Sequence, residues 1–154
     1  MEINKEINKF KAHSFLSKCF KDGLDGIEKQ HKENYIKLKS GKRKQHILGS
    51  INIDFCYEKT YPNQNRWDYI IFLDIKNYSS CQCIEIHPAK SEAVSLIEKK
   101  LNWLKDLIKS LNGNIKKDYC FIWIATNGIH IPKGTPQYRK LQTLGIKLTK
   151  KFEI

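Results

Sequence analysis

The chain has 154 residues, a length that fits one domain, and 40% of them are hydrophobic, which is enough to form a core. Its formal net charge of +12 favours polyanionic partners, with nucleic acid first. No stretch approaches the ~20 apolar residues that span a bilayer, and the N-terminus has no apolar signal core, so neither a membrane protein nor an exported one is expected. A cytoplasmic location with reduced cysteines is the prediction.

The pattern of residues 4 to about 40 predicts helix, with apolar side chains at intervals of three and four. Gly23 and Gly26 interrupt the pattern, so two amphipathic helices are predicted, over 6–22 and 25–39. A basic turn formed by Lys42, Arg43 and Lys44 follows. It is expected either as a solvated loop or as a contact for phosphate groups.

Three strands then follow in close succession. Alternating apolar and polar side chains predict a strand over 47–57, and apolar residues on both faces predict a central strand over 67–76. A tight turn at 77–80 leads to a third strand over 81–87, which Pro88 ends. Because the links are short, the three strands should form an antiparallel meander.

The next element is the most regular helix of the chain. Apolar residues recur at alternating intervals of three and four over 91–111, which predicts a buried stripe. As a crossover connection, this helix should bring an interior strand at 119–126 parallel to the third strand. A short helix at 138–144 and an edge strand at 147–154 complete the prediction.

This order of elements predicts an α/β fold in a single domain over 1–154. N-terminal helices over 6–39 precede an α/β core over 47–126, and a C-terminal extension covers 127–154. The core should be a mixed sheet, with a three-strand antiparallel meander and a parallel fourth strand, flanked by helices.

The strand predicted at 81–87 carries the most suggestive side chains. Cys81, Cys83, Glu85 and His87 share one of its faces. The two cysteines and the histidine spread over too great a length of strand for one zinc ion, so buried thiols are expected. A buried charge requires a partner. For Glu85 that partner is either a lysine in a buried ion pair or a metal ion shared with Asp68.

The order helix, three strands, helix, strand over about 25–126 resembles the core of the PD-(D/E)xK nuclease superfamily, which has a restriction-endonuclease-like fold. In that family an acidic residue opens the second core strand, where this chain has Asp68. A second acid lies on the third strand, where this chain has Glu85. The resemblance implies that these two carboxylates bind Mg²⁺, with Glu28 or Glu33 from the preceding helix completing the site.

His87 stands where the family has its lysine. The resemblance implies that His87 assists catalysis, or that a lysine displaced to the following helix does so, for which Lys90 and Lys99 are the candidates. The alternative for His87 is a structural hydrogen-bonding role at the end of a strand. Asp54, on the polar face of the first strand, is a second-tier candidate for the site.

The expected function is therefore a cytoplasmic, Mg²⁺-dependent nuclease. The basic turn, together with Arg66, would contact nucleic acid. Tyr61, in a predicted loop, and Tyr138, at the start of the predicted short helix, would stack on bases. The alternative is a non-catalytic module on the same fold that binds nucleic acid or a protein partner, including a small inhibitor or neutralising protein.

Overall fold

The computed structural model describes residues 2–39, 46–75 and 78–154. The strands are β1 (Phe20–Lys21), β2 (Ile36–Lys37), β3 (Ile47–Asn52), β4 (Tyr69–Ile75), β5 (Tyr78–Lys90), β6 (Tyr119–His130), β7 (Ile146–Thr149) and β8 (Phe152–Glu153). The helices are α1 (Ile3–Ala12), α2 (Lys29–Tyr35), α3 (Ile53–Tyr57), α4 (Val94–Asn112) and α5 (Pro136–Leu144). None of the helices in these described ranges is long and apolar enough to cross a membrane.

Six of the strands form one mixed sheet in the order β1-β3-β4-β5-β6-β7. The meander of β3, β4 and β5 is antiparallel, and β6 returns parallel to β5 after the α4 crossover, so the predicted mixed α/β sheet is confirmed. β7 adds a parallel edge to β6, and β2 pairs with β8 in a separate parallel pair.

Each face of the sheet carries its own apolar core. On one face the buried stripe of α4 and the apolar side of α1 pack together with Cys81 and Cys83 of β5. On the other face Ile84 and Ile86 of the same strand pack with residues of the N-terminal segment and the C-terminus. The predicted alternation along this strand is thus confirmed, and it directs Glu85 toward α4.

The predicted helices at 6–22 and 25–39 are wrong in extent, because α1 ends at Ala12 and α2 covers seven residues. Between them the chain runs close against the sheet. The backbone N–H of Gly26 donates to Ser50 Oγ at 2.9 Å, and a Cβ at Gly26 would lie 2.6 Å from the Ser50 carbonyl oxygen. This close approach, which only glycine permits, interrupts the helical pattern.

The strand predicted over 47–57 is also wrong in its second half, where the chain turns into α3. The Asn52 side chain accepts a hydrogen bond from the Phe55 backbone N–H at 3.0 Å and so begins the helix. Ile53 and Tyr57 are buried, whereas Phe55 is 64% exposed. Residues four positions apart share a face in a helix as well as in a strand, so the apolar alternation predicted a strand where a helix forms.

β5 and β6 both continue beyond their predicted ends. Pro88 does not end β5, because it lies beyond the last residue of β5 that pairs with β4, so its missing N–H breaks no ladder there. Asn127 and Gly128 form a bulge inside β6, with φ of 58° and 85° at these residues. It shifts the register from Pro88 opposite Thr126 to Ala89 opposite Ile129.

The C-terminal extension follows the prediction in part. α5 spans the predicted short helix, and β7 forms the first half of the predicted edge strand, but the last residues leave the large sheet to form β8. The prediction that all cysteines are reduced is wrong for Cys19 and Cys56. They form a disulfide that ties the segment before β1 to α3, while Cys81, Cys83 and Cys120 are free.

Candidate active site

Asp68 and Glu85 meet where strands β4 and β5 separate. The ladder between these strands ends at the pair Tyr69–Ile84, so Asp68 and Glu85 follow at the next position. The backbone N–H of Asp68 donates to Glu85 Oε2 at 3.2 Å, and the backbone N–H of Ile86 donates to Asp68 Oδ2 at 2.8 Å. Each carboxylate is thereby oriented by the backbone of the opposite strand.

The two remaining carboxylate oxygens converge on one ammonium group. Lys100 Nζ lies 3.7 Å from Asp68 Oδ1 and forms a close hydrogen-bonded ion pair with Glu85 Oε1. Lys100 comes from the second turn of α4. The expected ion pair of Glu85 with a lysine is therefore present, whereas a metal ion shared with Asp68 stays a prediction.

Sequence reasoning missed Lys100 and selected its neighbour Lys99, which is exposed. The helical pattern contained the signal. At 100° per residue, Lys99 lies roughly 180° from the centre of the buried stripe of α4, whereas Lys100 lies roughly 80° from it. Of these two lysines, only Lys100 is placed to reach the sheet.

The cluster is largely buried, and burial governs its protonation. The Glu85 side chain is fully buried, while those of Asp68 and Lys100 are 17% and 16% exposed. Burial and the Asp68 charge raise the pKa of Glu85 to about 8, against the opposing effects of Lys100 and the Asp68 N–H. Burial also raises the pKa of Asp68. The raised pKa favours the protonated form of Glu85.

The pKa of Lys100 is raised, which favours its charged form. Burial would lower this pKa, but the charges of Glu85 and Asp68 and the hydrogen bond to Glu85 outweigh burial and raise it. The three groups are thus held together by reciprocal hydrogen bonds and by the charge of Lys100.

A second ion pair borders this cluster. Arg66 Nε donates to Asp54 Oδ1 at 2.9 Å, and Arg66 Nη1 donates to the Tyr61 carbonyl oxygen at 2.6 Å. The Asp54 charge also acts on the pKa of Asp68 and of Lys100, which places it beside the site. Arg66, predicted to contact nucleic acid, is engaged in holding the loop after α3.

The structure does not bring the other predicted site residues to this cluster. Glu33 is 63% exposed and pairs with Lys29 at 3.8 Å. The ring of His87 contacts Pro88 and Trp123. Lys90 and Lys99 are both exposed. Lys42, Arg43 and Lys44 lie outside the described residues.

Helix α2, which precedes the three-strand meander, places a histidine rather than a glutamate near the cluster. His31 Nδ1 lies 2.7 Å from the hydroxyl oxygen of Tyr69, and the His31 charge acts on the pKa of Asp68. Glu28, the other acidic candidate of this segment, is exposed at the start of α2. No spacing in the sequence pointed to the pairing of His31 with Tyr69.

The oxygen donors of the cluster suit a hard divalent cation. Mg²⁺ takes oxygen ligands, and it commonly binds one or two carboxylates and keeps several waters. Asp68 Oδ1 and Glu85 Oε1 face one point, now taken by the Lys100 ammonium. Within the described ranges, no group of three or more His, Cys, Asp or Glu side chains is placed to hold a metal ion. A cation here would therefore rely on two carboxylates and water.

Comparison of the chain with protein-family models, with curated proteins and with solved structures finds no match. The relationship to the PD-(D/E)xK superfamily thus stays a prediction. It depends on the element order and on the placement of Asp68, Glu85 and Lys100.

Proposed function

We propose that the chain is a metal-dependent nuclease with a restriction-endonuclease-like core that hydrolyses phosphodiester bonds in nucleic acid. The observation that supports this most is the convergence of Asp68, Glu85 and Lys100 at the point where β4 and β5 separate. It matches the expected pattern of an acid at the start of the second core strand, an acid on the third, and a lysine displaced to the following helix.

In this proposal Asp68 and Glu85 would hold Mg²⁺ through the oxygens that face Lys100. A bound Mg²⁺ would polarise the phosphoryl oxygen and lower the pKa of a bound water. Glu85 would give up its proton when the cation binds, because ligation requires the carboxylate. Lys100, released from the carboxylates, would neutralise charge on the phosphate. The net charge of +12 would favour the encounter with a polyanion.

The test is Mg²⁺-dependent cleavage of nucleic acid by purified protein. Asp68→Asn and Glu85→Gln keep the shape of each side chain and remove its charge, and we expect each to lower the rate by about 10²-fold or more. Lys99→Ala, on the opposite side of α4, is the matched control and should cleave normally. Full activity in Glu85→Gln with intact folding would refute the proposal.

The alternative is a non-catalytic module that binds nucleic acid or a protein partner, including a small inhibitor. One observation favours it: Lys100 already neutralises the acid pair. A nucleic-acid-binding module would keep its affinity in Asp68→Asn and Glu85→Gln and lose it steeply with rising salt. An inhibitor would instead form a stoichiometric complex with one protein.

The cytoplasmic location belongs to this proposal as well. The disulfide between Cys19 and Cys56 weighs against it, because structural disulfides are rare in a reducing cytoplasm. In such a compartment these two cysteines would be reduced, and the segment before β1 would lose its covalent tie to α3.

A further inference from the structure

Three aromatic rings form a continuous stack beside the acid–lysine cluster. The rings of Phe15 and Tyr57 are 5.5 Å apart with an angle of 13° between their planes, and those of Tyr57 and Tyr61 are 5.9 Å apart at 27°. Tyr57 in the middle is buried, whereas Phe15 and Tyr61 are 40% and 42% exposed. Each outer ring thus packs against Tyr57, and both outer residues keep exposed area that a ligand can reach.

Two contacts tie this stack to the candidate active site. Trp103 packs edge-on against Tyr57 at 5.6 Å, and it lies three residues after Lys100 on the same side of α4. On the other side, Arg66 donates to the Tyr61 carbonyl oxygen while its Nε is bonded to Asp54. The stack and the site therefore share both α4 and the loop that follows α3.

The stack is also held in place from its other end. The disulfide between Cys19 and Cys56 joins the segment that carries Phe15 to α3, which carries Tyr57. Cys56 Sγ lies 3.5 Å from the Phe15 carbonyl oxygen. With the disulfide formed, the outer rings are presented by tethered segments, which limits the conformational entropy that binding would cost.

We infer that this stack binds an unpaired nucleobase, so that the substrate is single-stranded nucleic acid. The inference deepens the proposed nuclease function and rests on it for the identity of the reaction. A base inside a duplex is already covered on both faces, whereas an unpaired base has a free face for Tyr61 or Phe15. A basic protein attracts the backbone, and aromatic rings retain the bases, which is the usual combination in single-strand binding.

The test measures binding without cleavage. Fluorescence anisotropy would follow labelled oligonucleotides of about 12 nucleotides, within the common range of site sizes, as single-stranded DNA, single-stranded RNA and duplex DNA. The protein is the Glu85→Gln variant without divalent cation, so that no strand is cut. Tyr61→Leu and Phe15→Leu remove one outer ring each. Tyr61→Phe keeps the ring, and Phe55→Leu removes an exposed ring that is not in the stack.

We expect Tyr61→Leu and Phe15→Leu to weaken single-strand binding by about 5-fold to 100-fold, the usual effect of losing one base–aromatic contact. Tyr61→Phe and Phe55→Leu should bind within about twofold of the parent, because neither loses a ring of the stack. Duplex binding should be weaker and insensitive to these changes. A difference between the DNA and RNA strands would identify the preferred sugar.

The inference is overturned if Tyr61→Leu and Phe15→Leu bind single strands as tightly as the parent, or if they weaken duplex binding equally. That outcome leaves the nuclease proposal standing if Mg²⁺-dependent cleavage is observed. Conversely, ring-dependent binding of single strands without any cleavage would refute the nuclease proposal and leave the stacking surface as a binding site.

Discussion

Replacing Glu85 by glutamine should change how the stability of the protein depends on pH. The folded-state pKa of Glu85 is about 8, against an ordinary value of 4.5, because the side chain is buried beside Asp68. Between these two pH values the folded protein binds more protons than the unfolded chain, so the free energy of unfolding falls as pH rises. At about 1.4 kcal/mol per pH unit, the free energy of unfolding falls by at most about 5 kcal/mol between these two pH values.

Glutamine has nearly the same shape and stays neutral, so Glu85→Gln should lack this loss. We expect the variant to be close to the wild type in stability at pH 5 and more stable by several kcal/mol at pH 8. Urea unfolding, followed by the fluorescence of the buried Trp67 and Trp123, would measure this at intervals across the range. Parallel pH curves for the two proteins would refute the reasoning, since Glu85 would then ionise at its ordinary pKa.

A second buried glutamate provides a control with the opposite sign. Burial alone would raise the pKa of Glu6, but hydrogen bonds from Lys116 and Tyr119 and the charges of Lys116 and Lys9 outweigh burial and lower it. Its ionised form therefore stabilises the folded protein above the unfolded-state pKa. Glu6→Gln should be less stable than the wild type at neutral pH, and the difference should shrink as pH falls below about 4.5.

Two further substitutions test the same framework. Lys100→Met should lower the free energy of unfolding by about 3 kcal/mol at neutral pH, because it leaves buried carboxyl groups without the ammonium that compensates their charge, and urea unfolding should show this loss shrinking as pH falls; equal stability at neutral pH would contradict this. Replacing Cys19 and Cys56 by serine removes a cross-link between residues 37 apart, worth about 4 kcal/mol from chain entropy, while Cys120→Ser should change the urea midpoint little. A midpoint unchanged by loss of the disulfide would show that the cross-link adds no stability.

The sequence predicts the regular parts of the fold because each shows a single period. The stripe of α4 at intervals of three and four fits only a helix, and the apolar runs of β4 and β6 fit interior strands. The prediction is ambiguous where a helix and a strand would place the same residues on one face, as for Ile53 and Tyr57. It fails where a close tertiary contact overrides the local helical preference, as for Gly26 against Ser50.

The pairing of Asp68 with Glu85 depends on the register between β4 and β5, which the local pattern does not determine. A turn at 77–80, as the sequence predicts, would set Asp68 opposite Ala89. The observed pairing of Ile75 with Tyr78 carries Asp68 to Glu85 instead. The resemblance to a nuclease core named two acids that do meet in the structure, but the contact between them depends on a register that only the structure supplies.

Glu6 and Glu85 show two different consequences of burying a carboxylate. Glu6 accepts hydrogen bonds from Tyr119 at 2.6 Å and Lys116 at 2.5 Å, and its charge stabilises the fold. Glu85 lies beside a second carboxylate with one ammonium between them, and its ionisation opposes folding. Glutamine at 85 would form similar hydrogen bonds without that penalty. A residue that costs stability where an isostere would not is typical of a functional site.

The variant Glu85→Gln therefore separates the two roles of the cluster. If the variant is more stable above neutral pH and does not cleave nucleic acid, the Glu85 carboxylate lowers stability but is required for cleavage. A protein that is equally active would mean that Asp68, Glu85 and Lys100 form a structural junction between the sheet and α4. Measuring stability and cleavage on the same preparation distinguishes these outcomes, because a loss of activity through unfolding would appear in both measurements.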